Sequence, residues 1–124
     1  MNFEDLAENV RLWAHEKGIF DKSNVSRQLE KTREEVEELI DANGALGRWA
    51  CVVSNKEFHA ARDNVRLELG DVLVTLVIAA EMLSMDLEEC LEAAYNKISK
   101  RKGEMRNGVF VKQEDLPTTK EEDL

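Results

Sequence analysis

The chain has 124 residues, 35% of them charged, and a formal charge of −9 at pH 7. That length suits one domain with a modest core, for which association of copies is a natural way to bury more apolar surface. The acidity argues against bare nucleic-acid binding, which relies on clustered Lys and Arg, so an anionic substrate would need a bridging cation.

Other classes fall away on local grounds. The two cysteines, Cys51 and Cys90, lack zinc or redox spacing such as CxxC, and Cys90 lies near an apolar helix face, where a buried inert thiol is expected. The longest apolar run, 72–80, is far short of the ~20 residues that a membrane span needs. No basic start followed by an apolar stretch marks a signal peptide, which implies a cytoplasmic protein without membrane contact.

In chain order, a first helix is expected over about Asn2 to Lys17, with Phe3, Leu6, Val10 and Trp13 on one face and Gly18 at its end. After a short loop through Asp21, Ser23 or Ser26 can cap a second helix that stops at Asn43-Gly44. The stretch 45–53 has no firm period. Ser54 and Glu57 have capping-box spacing for a third helix reaching Leu83, whose second half, VLVTLVIAAEML, is apolar nearly all round and suits a bundle centre or a subunit interface. Asp86 then caps a fourth helix with Leu87, Leu91, Ala94 and Ile98 as its inner stripe up to Gly103. RNGVFVK reads as a short ordered arm, with no hairpin expected. One domain over 1–112 is followed by an acidic tail, 113–124, which holds the single proline and is expected to be mobile.

Chemistry concentrates in two carboxylate pairs, Glu35 and Glu38 in EEVEE and Glu68 and Asp71 in ELGD. Residues three apart share a helical face, so each pair presents its oxygens to one region of space. On the second helix the apolar stripe is Val25, Leu29, Val36, Leu39 and Ile40; on the third it is Val65, Leu69, Val72, Leu76 and Leu83. At about 100° per residue, Glu35 and Glu38 lie about 80 to 140° from their stripe, and Glu68 and Asp71 about 60 to 120° from theirs, in the same sense. If the two helices pack antiparallel, as a short connection favours, both pairs fall along one edge of the contact. Four converging carboxylates repel one another unless a cation sits among them, and a hard ion such as magnesium prefers oxygen ligands. The bland alternative is a solvated acidic face, common in a chain this rich in Glu.

The remaining candidates are weaker. No ExxH occurs, which disfavours a carboxylate-bridged di-iron bundle. His15 and His59 have no second ligand at metal spacing and read as surface or packing residues. Lys97 and Arg101 sit four apart near a helix end, where they can hold phosphate or simply complement the macrodipole. Gln28 and Lys31 share the angular sector of Glu35 and Glu38 and border the proposed site. Trp13 is by default a packing residue, with stacking on a base as the sharper alternative.

The order KTREEVEEL, ELGDVLVTLVIAAEM, EAAYNKISKRKGEMRNGVFVK resembles the MazG-like nucleotide pyrophosphohydrolases over about Leu12 to Lys112. The resemblance implies an all-α enzyme that hydrolyses the bond between the α and β phosphates of nucleoside triphosphates with magnesium, or manganese as a substitute. It implies Glu35, Glu38, Glu68 and Asp71 as metal ligands, Lys97 and Arg101 as phosphate contacts, and Asn96 as a further polar contact. Either Glu38 or Glu35 can then serve as the base that accepts a proton from water. Taken together, these readings describe an all-α, four-helix bundle-like protomer with antiparallel central helices, forming a homodimer or homotetramer and acting on nucleotides such as dCTP or dUTP in a house-cleaning role. The alternatives are a phosphoribosyl-ATP pyrophosphohydrolase and a non-catalytic helical protein whose acidic face binds a basic partner.

Overall fold

Five α-helices, one small hairpin and a 3-10 turn (Gln113–Asp115) account for the regular structure among the described residues, which in this computed structural model are 1–50 and 55–117. The helices are α1 (Phe3–Glu16), α2 (Ile19–Lys22), α3 (Val25–Trp49), α4 (Lys56–Met82) and α5 (Leu87–Ile98); the strands are β1 (Gly103–Arg106) and β2 (Val109–Lys112). The chain divides into two compact units, Met1–Leu87 and Glu88–Leu124.

Local chemistry explains the helix starts. Asn2 caps α1 by accepting from the Asp5 amide at 2.9 Å, and the Asp5 carboxylate accepts from the Asn2 amide at 3.2 Å, a reciprocal capping box. Gly18, at φ +77°, ends that helical stretch in the left-handed region open to glycine. A single-turn helix, α2, replaces the expected loop. The cap of α3 is Asn24, which accepts from the Arg27 amide at 2.9 Å, in place of either candidate serine. Asn55 caps α4 by accepting from the Phe58 amide at 2.6 Å; Ser54, the expected cap, lies outside the described residues.

Asn43-Gly44 does not stop α3, which continues to Trp49. Ala42 is buried and Ala45 and Leu46 are half-buried, so contact with α4 carries the helix through a pair that would end it in isolation. The helices α3 and α4 make the principal contact of the first unit, and they run antiparallel: Gln28 early in α3 donates to the Thr75 carbonyl late in α4 at 3.2 Å, while Glu35 further along α3 meets Glu68. Arg11 of α1 pairs with Glu4 at 2.7 Å and Glu8 at 2.9 Å on its own helix and reaches Glu81 of α4 at 4.0 Å, which joins α1 to the same helix.

The seam differs from the expected apolar stripe on α3. Buried Gln28, Glu35 and Ala42, a seven-residue repeat, alternate with half-buried Val25, Thr32, Leu39 and Leu46, so two residues of the expected stripe do reach the seam while Leu29, Val36 and Ile40 are exposed. The helix is therefore turned by about 70° from the orientation that its apolar pattern suggests. On α4 the half-buried positions Val65, Glu68, Val72 and Leu76 and the buried Thr75 and Ala79 face the seam, while Leu69 and Leu83 are exposed. Polar partners make this register tolerable: the Gln28 amide is satisfied by Thr75, and Thr75 Oγ1 donates to the Val72 carbonyl at 2.7 Å.

In the second unit, β1 and β2 pair antiparallel, with Arg106 opposite Val109. The hairpin that the sequence reading did not expect is built on Asn107 (φ +51°) and Gly108 (φ +80°), the positive-φ pair that a two-residue type I′ turn requires. Short strands with weak alternation hid it. On α5, Leu91, Tyr95 and Ile98 are exposed, so the expected inner stripe is not a buried one, and Cys90 is exposed rather than buried for the same reason. Helix α5 ends at Ile98, so Arg101 lies in the following loop and does not share a helical face with Lys97. Most of the expected mobile tail, 118–124, lies outside the described residues.

Gln28, 6% exposed, is a cross-brace of the α3–α4 seam. Gln28→Ala is expected to lower the unfolding free energy by about 1–3 kcal/mol, combining a lost buried hydrogen bond with a small cavity. Urea unfolding with an unchanged m value checks this.

Candidate metal centre

Antiparallel packing brings the two carboxylate pairs together in the middle of the seam. Glu35 of α3 and Glu68 and Asp71 of α4 each place a carboxylate oxygen so that all three lie within 4.8 Å of one another. Glu38, one turn after Glu35, stands beside both Glu35 and Glu68. Its carboxyl titrates above the ordinary carboxylate range, chiefly because of the Glu35 side chain next to it, with loss of solvent and Glu68 adding to the effect.

Burial sharpens the geometry. Glu35 is 8% exposed, and its Oε1 receives the Lys31 ammonium at 3.2 Å. Among the described residues, Glu35 Oε2 and Glu68 Oε2 are the buried side-chain atoms with no hydrogen-bond partner. An orphaned carboxylate oxygen in a helix seam is costly, and two of them facing one cluster need a common explanation. A divalent cation supplies one. Oxygens bound to one magnesium ion at about 2.0–2.1 Å are at most about 4.2 Å apart, so small side-chain adjustments draw this cluster onto a single such cation. The donor set is all oxygen, as magnesium or manganese prefers and zinc does not.

The other predicted residues divide by position. Lys31 borders the cluster, and the Glu35 carboxylate holds its ammonium above the ordinary value. Glu34 is exposed and takes a second contact from Lys31 at 3.5 Å. Gln28 is in the seam, with its amide committed to Thr75. Asn96 and Lys97 lie in the last turn of α5 and Arg101 in the loop after it, all in the second unit. His15 and His59 are exposed, and the His59 ring meets Phe58 edge-on at 5.6 Å.

A feature the sequence reading missed lies beside the cluster. An apolar groove of about 590 Å³ runs between α1 and α4, walled by Phe3, Leu6, Val10 and Trp13 on one side and by Gly70, Leu73, Val74 and Val77 on the other. Asp71 belongs to both the groove and the carboxylate cluster. Two signals for it were in the sequence: the Phe3, Leu6, Val10, Trp13 face, and Gly70, which leaves a side-chain gap inside an otherwise strong helix.

Residues 23–105 match the MazG nucleotide pyrophosphohydrolase domain, and the chain belongs to that family. The matched segment contains both carboxylate pairs. No curated protein and no solved structure matches the chain.

Because folding raises the Glu38 carboxyl above its unfolded value, the native state binds an extra proton in the window just above the ordinary carboxylate range. Stability of the metal-free protein is therefore expected to fall as pH rises through that window. Glu38→Gln should flatten this segment of the profile, measured by thermal unfolding in chelator between about pH 4 and 8.

Proposed function

We propose that this protein is a magnesium-dependent nucleoside triphosphate pyrophosphohydrolase, cleaving between the α and β phosphates to release a monophosphate and pyrophosphate. The observation that carries the reading is the pair of buried, unpartnered oxygens of Glu35 and Glu68 within a three-carboxylate cluster. A helix face that merely attracts a basic partner has no reason to bury its carboxylates away from solvent and from donors.

Glu35, Glu68 and Asp71 would hold the ion, with Glu38 at the edge of the set. Bound there, magnesium, or manganese in its place, supplies charge neutralisation for the triphosphate and a more acidic water. Glu38 is the base that receives the proton, since it is exposed where Glu35 is buried and stands beside the ligand carboxylates. Lys31 adds a cation at the margin of the cluster, and Lys97, Arg101 and Asn96 are put forward as phosphate donors on the family resemblance alone.

The groove gives the nucleoside a place. Its volume falls in the range of small-molecule sites, its walls are apolar, and it shares Asp71 with the ion cluster, so a base against Trp13 would leave the phosphates near the metal. Deoxynucleotides such as dCTP or dUTP, removed in a house-cleaning role, are the substrates put forward. The exposed Leu29, Val36 and Ile40 on α3 and Leu69 on α4 support assembly as a homodimer or homotetramer, since large unpaired apolar faces mark association surfaces.

Three measurements test the proposal. Glu38→Ala and Asp71→Ala should each lower magnesium-dependent pyrophosphate release by about a hundredfold or more, and retained activity in both rejects the assignment. Trp13→Ala should raise KM by about tenfold with little change in kcat, as loss of one stacked base contact would. Magnesium plus the preferred nucleotide should raise the melting temperature of the wild-type protein, because a ligand of the native state stabilises it.

A further inference from the structure

Lys31 is held at the carboxylate cluster by position. It lies four residues before Glu35 on α3, its ammonium is 3.2 Å from Glu35 Oε1 and 3.5 Å from Glu34 Oε2, and half of the side chain (52%) is exposed. Within the first unit and among the described residues, no other cation comes within ion-pair distance of Glu35, Glu38, Glu68 or Asp71. Among those residues Lys31 therefore supplies the direct positive charge beside these carboxylates.

We propose that Lys31 is the resident counter-cation of this cluster: it steadies Glu35 in the seam of the metal-free protein and opposes entry of the divalent ion. The inference rests on the metal site proposed above. A lysine at i−4 reaches Glu35 from the outer end of the carboxylate, at Oε1, and leaves Oε2 without a partner. One ammonium cannot neutralise four carboxylates, so the cluster stays short of positive charge and still attracts a divalent ion. That ion meets an ammonium a few ångströms away. At such separations a like charge weakens binding even at an effective dielectric well above that of a dry interior. The half-exposed stem can swing aside, which limits the penalty and makes the ammonium a removable partner in place of a fixed one.

Two readouts that do not involve catalysis test this, with Lys31→Met keeping the stem and removing the charge. In chelator, Lys31→Met should melt about 4 °C below wild type, because Glu35 loses its partner among like charges. Calorimetric titration with Mg²⁺ alone, or electron paramagnetic resonance with Mn²⁺ alone, should show Lys31→Met binding the ion about tenfold more tightly than wild type. Lys31→Arg, which keeps the charge, should stay close to wild type in both. Ion affinity in Lys31→Met that is unchanged within twofold, or weaker, overturns the proposal; weaker binding would mark Lys31 as a residue that merely orients Glu35. If wild type itself binds neither ion while remaining folded, the metal site fails and the counter-cation role fails with it. Wild-type binding without the gain in Lys31→Met sinks the counter-cation role alone.

Discussion

Like charge confined in a helix seam is the constraint on which this structure turns. The contact between α3 and α4 places Glu35 and Glu68 where a coiled-coil seam would ordinarily carry apolar side chains, with Asp71 and Glu38 beside them. Such an arrangement cannot be explained by packing, since it desolvates carboxylates and leaves two of their oxygens without donors. The seam tolerates it through Gln28 and Thr75, which satisfy each other's neighbourhood across the helices, and through Lys31, which covers one side of Glu35. A polar seam of this kind stabilises the protein less than an apolar one.

The same rotation of α3 that buries Glu35 exposes Leu29, Val36 and Ile40. Site and apolar surface are thus two consequences of one register. A helix that turns Glu35 inward and Leu29, Val36 and Ile40 outward gives up apolar burial to set a carboxylate in the seam. On the opposite flank of α4, helix α1 leaves a groove instead of closing fully, because Gly70 contributes no side chain and the aromatic rings of Phe3 and Trp13 stand at its rim. Polar chemistry and apolar recognition then meet at Asp71.

The second unit is organised differently. Its hairpin depends on backbone conformation at Asn107 and Gly108, and on the absence of a side chain at Gly103, where a Cβ would collide with the Val111 carbonyl and the Phe110 ring. The cations proposed for phosphate, Lys97 and Arg101, straddle the end of α5, so their spacing in sequence is not a helical spacing in space.

By itself the sequence determined the helical class, the two long central helices, and the two ExxE/D pairs, because period and residue chemistry are local properties that survive without coordinates. It also carried the equal angular offset that predicts convergence under antiparallel packing. What only the tertiary structure decided was which face of α3 turns inward, that Asn43-Gly44 is overridden, that Asn107-Gly108 closes a hairpin, and that a groove opens beside Asp71. The reason is common to all four. An apolar pattern ranks faces by transfer energy alone, whereas the fold also weighs partners from distant positions, such as Thr75 for Gln28, that no local window contains.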